Sequence, residues 1–201
     1  MTKDLDNEGL KSIAKQYDLF FVDLWGVVHD GIELFQHSIN ALEEISNLGK
    51  EYVLLTNAPR PNSDVRSFLS KMGLKAEISS NVYTSGEAAL NYLTKNYKDK
   101  KFYHIGPPRD FGLFNTFEKN KLNNIGASDF LLCTGLFEDF DKDLLYYQDL
   151  LKNYINKIMV CTNPDLIVDR GDVREFCAGS VAKAFEEIGG KVIYFGKPYP
   201  P

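Results

Sequence analysis

The sequence has no concentration of positive charge and no long apolar run. Of its 201 residues, 23 are lysine or arginine and 28 are aspartate or glutamate, which gives a net charge of −5. Without a basic cluster, nucleic acid and anionic membrane surfaces are not expected as partners. No apolar stretch approaches the ~20 residues that a transmembrane helix needs, so no membrane span is expected.

Cysteine is scarce as well. Cys133, Cys161 and Cys177 are odd in number, lie far apart and lack the spacing of a metal site. Two of them fall in apolar, strand-like runs, which is typical of buried thiols in a reducing compartment. Residues 1–8 are too acidic for a signal or transit peptide. We therefore expect the protein to be cytoplasmic.

Apolar residues, by contrast, are plentiful. They make up 44% of the chain, enough for the core of one large or two small α/β domains. Residues 19–22 and 51–55 form apolar runs typical of buried strands, and helical patterns follow them at 34–49 and 62–73. Two successive strand–helix units predict an α/β fold with a parallel, doubly wound, Rossmann-like sheet.

The rest of the chain continues this alternation. Helices are predicted at 85–92, 142–155 and 181–188, and weakly at 6–16; strands are predicted at 101–105, 129–133, 157–161 and 191–195. Residues 109–128 show little periodicity. If the last strand returns to the first sheet, residues 1–83 and 179–201 form the core and residues 84–178 form a smaller, inserted α/β unit.

Three polar residues follow predicted strands: Asp23, Thr56 and Lys197. Ligands of open α/β sheets bind at the carboxyl ends of the strands. A carboxylate that attacks phosphorus, with a hydroxyl and a lysine on the phosphate oxygens, is what phosphoryl transfer to an aspartate requires. Each residue alone could equally be a turn former or a surface side chain. A catalytic role requires all three to converge on one phosphate pocket.

The sequence around these residues resembles the haloacid dehalogenase (HAD) superfamily. The resemblance rests on Asp23-Leu24-Trp25-Gly26-Val27-Val28, Leu55-Thr56-Asn57 and Gly196-Lys197-Pro198. Residues 84–86, 162–165 and 179–190 are similar to its class IIA branch, which includes pyridoxal-phosphate, nitrophenyl and bacterial ribonucleotide phosphatases.

This resemblance implies a Mg²⁺-dependent phosphatase that hydrolyses a small phosphorylated metabolite through an aspartyl-phosphate. Asp23 would be the nucleophile and a magnesium ligand, and the main-chain carbonyl of Trp25 would also face the metal. Thr56 and Asn57 would bind the phosphate, and Lys197 would steady both the phosphate and the nucleophile.

The resemblance also implies that the inserted unit is the class IIA cap. Its loop around Asn163 and Asp165 would face the core and influence substrate choice. Caps of this branch often take part in dimers, so a homodimer is one expected state. Arg60, close to the phosphate motif, either contacts a substrate anion or is a plain surface arginine; the sequence leaves both interpretations open.

Two features depart from the family pattern. Phosphatases of the superfamily usually carry a second aspartate two residues after the nucleophile, where this sequence has Trp25, which cannot transfer a proton at neutral pH. His29 or Asp30 would have to replace that aspartate. The fourth motif, an acidic Gly-Asp loop that completes the magnesium site, does not occur between Lys197 and Pro201.

These departures support a second hypothesis, a catalytically impaired or inactive HAD-fold protein that binds a phosphorylated ligand or a partner. Loss of a general acid–base typically costs about 10²–10⁴-fold in rate, so weak turnover remains compatible with the sequence. A phosphotransferase or mutase would use the same nucleophile. The chain is expected to be either a fragment of a longer protein or a truncated form with an uncovered apolar sheet edge.

Overall fold

A computed structural model describes residues 9–200, and its contacts divide the chain into two units. The first unit contains the described residues up to Leu55, together with Arg66–Tyr83. The second contains Thr56–Val65 and the described residues from Thr84 onward. None of the helices within residues 9–200 has the length and apolar character needed to cross a bilayer.

The first unit is built on a three-stranded sheet of order β1-β2-β3. Its strands are β1 (Leu19–Val22), β2 (Glu51–Thr56) and β3 (Val82–Thr84), and β1 and β2 are parallel. The helices are α1 (Gln36–Asn47), α2 (Asn62–Lys71), whose first turn belongs to the second unit, and α3 (Ala76–Ser79). The helical spacing of Ile39, Leu42 and Ile45 puts all three on the buried face of α1.

The expectation that β1 is a buried strand is wrong for one of its faces. Phe21 is 68% exposed and Leu19 is 43% exposed, whereas Phe20 and Val22 are partly buried. Successive side chains of a strand point to opposite faces, and β1 lies at the edge of the described sheet. An apolar run therefore predicted the strand correctly but not its surroundings.

The second unit contains a parallel five-stranded sheet of order β10-β7-β6-β4-β5. Its strands are β4 (Phe102–Ile105), β5 (Lys121–Leu122), β6 (Phe130–Cys133), β7 (Ile158–Cys161) and β10 (Lys191–Tyr194). The helices of this unit are α4 (Ser85–Asn96), α5 (Leu144–Leu151) and α6 (Ala178–Glu187). Parallel sheets joined by helices give the α/β, Rossmann-like fold class that the strand–helix alternation predicts.

Side chains from the five-stranded sheet enter two separate apolar clusters. Leu131 and Cys133 of β6 pack with residues of α5 and α6, whereas Phe130 and Leu132 pack with Leu93 of α4 and its neighbours. A strand that is buried on both faces is a near-continuous apolar run, as β6 is. All three cysteines are buried, which includes the two expected to be so from their apolar runs, and burial raises the pKa of each thiol.

Several boundaries differ from those predicted. The predicted helix at 142–155 is α5, followed by a 3₁₀ turn at Lys152–Tyr154. Residues 10–12 and 14–16 form 3₁₀ turns rather than an α-helix, and residues 6–8 of that prediction lie outside the described residues. Two further 3₁₀ segments, Pro108–Leu113 and Asn115–Asn120, lie in the stretch without periodicity. The antiparallel hairpin of β8 (Ile167–Arg170) and β9 (Val173–Phe176) was not predicted.

The last strand, β10, pairs with β7 in the five-stranded sheet. The division by contacts accordingly groups residues 179–200 with residues 84–178. The core of residues 1–83 and 179–201 with a cap of residues 84–178 stays a prediction about domain boundaries.

Candidate functional site

Polar residues line the carboxyl-terminal edge of the five-stranded sheet. Lys197 follows β10, Thr162 follows β7, Thr134 follows β6, and Asp110 lies in the segment after β4. Backbone hydrogen bonds extend beyond the strands at this edge, from Thr134 to Ile105 and from Thr162 to Cys133. Because ligands of open α/β sheets bind at this edge, these residues define a candidate site within the second unit.

The loop after β2 is fixed to this edge through Asn57. Its buried amide nitrogen donates to Asp165 Oδ1 at 2.8 Å and to the Lys197 carbonyl at 3.0 Å, and its Oδ1 accepts from the Lys197 N–H at 2.7 Å. An Asn side chain has two N–H donors, so both are occupied. Asn57 therefore positions the main chain of Lys197 and the carboxylate of Asp165.

The first turn of α4 holds the same loop from another direction. The Ala58 carbonyl accepts from Ser85 Oγ at 3.0 Å and from the Gly86 N–H at 3.0 Å, and the Arg60 carbonyl accepts from Thr84 Oγ1 at 2.6 Å. A Cβ on Gly86 would lie 2.4 Å from the Arg60 main-chain nitrogen, so only glycine permits this approach. The loop that carries Thr56, Asn57 and Arg60 is thus preorganised.

Thr56 ends β2 and is buried. Its Oγ1 accepts a long hydrogen bond of 3.3 Å from the Ala58 N–H. A threonine hydroxyl has one donor and two acceptor sites, so this contact leaves the hydroxyl proton available for a further acceptor such as a phosphate oxygen.

Arg60 forms an ion pair with a carboxylate that the sequence did not single out. Its Nε donates to Asp110 Oδ1 at 2.9 Å, and the Asp110 side chain is only 3% exposed. Burial raises the pKa of Asp110, and the charge and hydrogen bond of Arg60 oppose that shift. The pair is therefore a buried charge compensated by a half-buried one, unlike the surface arginine that the sequence left open.

A buried histidine and threonine continue this pair. His104 Nε2 lies 2.8 Å from Thr134 Oγ1, and the Thr134 hydroxyl also bonds the Asp110 carboxylate. Burial, with the charge of Lys121, lowers the pKa of His104 to about 3, so its ring is neutral at pH 7. The consistent order is His104 N–H to Thr134 O–H to Asp110, with Arg60 donating from the other side.

The sequence missed Asp110 and Thr134 as site residues. Thr134 stands directly after a strand, as Thr162 does, and Thr56 ends one; that signal could have identified Thr134. Asp110 lies in a 3₁₀ segment without apolar periodicity, and its contact with Arg60 joins positions 50 residues apart. No local pattern predicts such a contact.

The loop of residues 163–166 is also anchored. Asn163 Oδ1 accepts from the Asp165 N–H at 2.9 Å, and the Asp165 and Leu166 carbonyls accept from the Gly179 N–H and from Ser180 Oγ in α6. Asp165 itself is exposed and bonds Asn57. The structure thus brings Asn57, Asp165 and Lys197 together, with Asn163 shaping the turn beside them.

Asp23 and Trp25 belong to the first unit, in a compact turn after β1. Asp23 is exposed, and its Oδ1 accepts from the Leu24 N–H at 2.9 Å. The Leu24 carbonyl accepts from the N–H groups of residues 27–29. A Cβ on Gly31 would lie 2.5 Å from the indole of Trp25, so a glycine here makes room for that ring.

The geometry of this turn argues against His29 and Asp30 as substitutes for the missing acid–base. His29 is 4% exposed, its Nδ1 accepts from the Gly31 N–H at 2.9 Å, and burial lowers its pKa. Asp30 Oδ1 accepts from the N–H groups of Glu33 and Ile32, and these bonds lower its pKa. A carboxyl with a lowered pKa is ionised at pH 7 and has no proton to donate.

These residues offer a magnesium ion only the smallest set of protein ligands. No group of three His, Cys, Asp or Glu side chains within residues 9–200 could hold a metal. Mg²⁺ usually keeps several waters and uses one or two carboxylates with substrate phosphate oxygens. The exposed carboxylate of Asp23 meets that smallest requirement.

A Rossmann-like α/β fold with lysine, threonine and carboxylate side chains at strand ends defines a class of hydrolase. Residues 20–118 match the haloacid dehalogenase-like hydrolase family. A hydrolase of the haloacid dehalogenase-like family from Brucella suis 1330 is 31% identical, with a TM-score of 0.87 over 96% of this chain and 73% of that one. The chain belongs to this family, as the motifs predict.

Other solved structures share the fold at lower identity. A 4-nitrophenylphosphatase from Thermotoga maritima is 23% identical, with a TM-score of 0.66 over 92% of this chain and 69% of that one. A glycerol phosphate phosphatase from Mycobacterium tuberculosis, solved with magnesium, is 21% identical, with a TM-score of 0.68 over 94% of this chain and 57% of that one. No curated protein sequence matches the chain significantly.

Proposed function

We propose that this hydrolase cleaves a small phosphomonoester through an aspartyl-phosphate on Asp23. The observation that carries the proposal is the clamp in which the Asn57 side chain holds the main chain of Lys197 and the carboxylate of Asp165. Such a clamp holds together, within the second unit, the segments that carry Thr56, Asp165 and Lys197. Rigid placement of donors is what stabilises charge on a transferring phosphoryl group.

In this proposal the Asp23 carboxylate attacks phosphorus and the ester oxygen departs as an alcohol. Water then hydrolyses the aspartyl-phosphate and releases inorganic phosphate. Thr56 and Lys197 bind phosphate oxygens, and Asn57 acts as a positioning residue. The family's use of Mg²⁺ and the magnesium-bound relative support a metal held by Asp23 and the Trp25 carbonyl, which would offset negative charge on the phosphate.

The leaving oxygen receives its proton from solvent in this mechanism, because Trp25 has only an indole N–H and His29 and Asp30 are committed elsewhere. When the alcohol is acidic, its oxygen needs little protonation as it leaves the phosphorus. We therefore expect 4-nitrophenyl phosphate to react faster than an alkyl phosphate.

The test measures phosphate release from 4-nitrophenyl phosphate and from alkyl phosphomonoesters, with and without Mg²⁺. Asp23→Asn should lower kcat/KM by about 10³-fold or more, because it removes the nucleophile. Asp139→Asn, an exposed aspartate far along the chain, is the matched control and should retain the wild-type rate. Equal rates in wild type and Asp23→Asn would contradict the proposal.

The alternative is a catalytically inactive protein that binds a phosphorylated ligand on the same scaffold. The main-chain hydrogen bonds that His29 and Asp30 accept favour it, since these are the two residues that would have to replace the acid–base. This alternative predicts that phosphate esters raise the melting temperature while no phosphate is released. Any hydrolysis that depends on Asp23 would exclude it.

A further inference from the structure

Two arginines flank the buried carboxylate of Asp110. Arg60 bonds it directly through Nε, and the charge of the exposed Arg109 also lowers the pKa of Asp110. Guanidinium groups are suited to binding an anion, and these two lie beside a single buried carboxylate in a chain whose net charge is −5.

The buried carboxylate orients Arg60 rather than simply neutralising it. Asp110 is fixed by the Thr134 hydroxyl, which His104 fixes in turn, so the carboxylate cannot follow a mobile arginine. A guanidinium has five N–H donors in a planar fork, and this pair uses Nε. The other edge of the fork carries two terminal nitrogens, and the Arg60 side chain is 31% exposed.

The strand order indicates how far the Arg60–Asp110 ion pair lies from Lys197, which is proposed to bind the phosphate. Lys197 follows β10 and Asp110 lies after β4, three places apart in the strand order. Neighbouring strands are about 4.8 Å apart, so the two strand ends are about 14 Å apart. The side chains of Lys197 and Arg60 are long, so the distance between their charged groups can be shorter than the distance between the strand ends. The loop from Asn57 to Arg60 spans the same interval, since its two ends contact Lys197 and Asp110.

We infer that Arg60, held by Asp110, and the exposed Arg109 next to Asp110 in the chain form a second anion subsite that binds the non-reacting acidic group of the substrate. This inference rests on the proposed phosphatase function and narrows its substrate to a phosphomonoester with a carboxylate or second phosphoryl group at the far end of a several-carbon chain. Arg60 and Arg109 are specificity residues, and Asp110 is a positioning residue.

The test compares 6-phosphogluconate with sorbitol 6-phosphate, which share a six-carbon chain and a phosphate but differ in a carboxylate against a hydroxymethyl group. Affinities are measured by calorimetry on Asp23→Asn, which cannot turn over, and kcat/KM on the wild type. A charge-assisted hydrogen bond makes the carboxylated ester bind about 10- to 100-fold more tightly. Fructose 1,6-bisphosphate tests whether a second phosphoryl group serves equally.

The variants separate selectivity from stability. Arg109→Gln removes an exposed charge without disturbing the fold, and should reduce the preference for the carboxylated ester several-fold. Removing Arg60 alone would leave Asp110 buried and unpaired, so Arg60→Gln is combined with Asp110→Asn, which preserves an amide–amide hydrogen bond. This double variant should abolish the preference. Lys183→Gln, on the exposed face of α6, should leave it unchanged.

Equal affinity for the two six-carbon esters, binding of neither, or a preference that survives in both Arg variants would overturn the subsite. Hydrolysis of both esters at equal kcat/KM would do the same while leaving the proposed phosphatase function in place. Conversely, arginine-dependent preference for the carboxylated ester in binding, with no hydrolysis of any ester, would support the subsite and refute the phosphatase function.

Discussion

At the scale of single residues, side chains of the candidate site make more hydrogen bonds within the protein than the motifs suggest. Asn57 stands where the family motif places a phosphate-binding residue, yet its amide makes three hydrogen bonds inside the protein. Arg60 is likewise tied to Asp110. Through these contacts the motif residues position other residues of the site. Substituting Asn57 or Arg60 should therefore affect stability as well as activity.

Asn57→Ala should destabilise the protein and lower its activity together. Three hydrogen bonds with a net value of about 1 kcal/mol each predict a loss of about 2–3 kcal/mol in the free energy of unfolding. Urea denaturation measures this loss, and phosphate release measures the activity. Asn96→Ala, whose exposed amide makes one local bond to Tyr92, is the control and should change stability far less. Wild-type stability in Asn57→Ala would contradict the clamp.

His104 should make stability depend on pH. Its folded pKa of about 3 lies below the value of about 6.5 expected in the unfolded chain. Between these values the unfolded state binds a proton that the folded state does not, so stability is greatest above pH 6.5 and falls as the pH is lowered toward 3. One pKa unit corresponds to about 1.4 kcal/mol, so the effect amounts to a few kcal/mol.

The melting temperature between pH 4 and 7 tests this dependence. His104→Asn keeps a neutral polar side chain without the titration, so its curve should be flatter than that of the wild type. Some slope should remain, because burial lowers the pKa of His29 in the same direction. Identical slopes in the two proteins would show that the His104 pKa is not depressed.

At the scale of elements, the site depends on the N-terminal turn of α4. Thr84 caps the helix by accepting from the Glu87 N–H at 2.9 Å, and Glu87 Oε2 accepts from the Asn62 N–H at 3.0 Å. Thr84 and Gly86 also contact Arg60. The first N–H groups of a helix have no acceptor within the helix, and here that of Gly86 bonds the Ala58 carbonyl, so the helix end also anchors the neighbouring loop.

Gly86→Ala should displace this loop. The new Cβ would lie 2.4 Å from the Arg60 nitrogen, and overpacking of this kind costs about 1–3 kcal/mol. We expect lower stability and a reduced kcat/KM, measured by thermal unfolding and phosphate release. Gly126→Ala is the matched control, because the shortest contact of its Cβ would be a side-chain oxygen at 3.2 Å. Equal effects of the two substitutions would contradict a special role for Gly86.

At the scale of the whole molecule, exposed apolar surface on β1 affects association. Phe21 is 68% exposed on a strand at the sheet edge, an arrangement that promotes pairing with other chains. Phe21→Thr should change the free energy of unfolding by no more than about 0.5 kcal/mol, since the ring buries little area. It should reduce self-association, as measured by light scattering at rising concentration. Tyr83→Thr, also exposed, is the comparison substitution.

Much of the fold could be predicted from the sequence because its signals are local. The apolar runs at 51–55 and 129–133 and the helical spacing in α1 and α6 identify their elements within a few residues. The hairpin of β8 and β9 escaped prediction because its strands are short and largely exposed, without a buried face to impose a clear alternation. The exposure of β1 escaped it because an apolar run does not reveal its neighbours.

The sequence by itself determined the α/β alternation and the polar residues at the strand ends, because hydrophobic period and turn chemistry act over a few residues. Its motifs resemble the family that the comparison with the Brucella suis hydrolase shows. Only the tertiary structure decided that Asn57 meets Lys197 across 140 positions and that Arg60 meets a buried Asp110. These contacts join the loop after β2 to residues that follow strands of the five-stranded sheet, 50 to 140 positions away, and local periodicity carries no information about such distant partners.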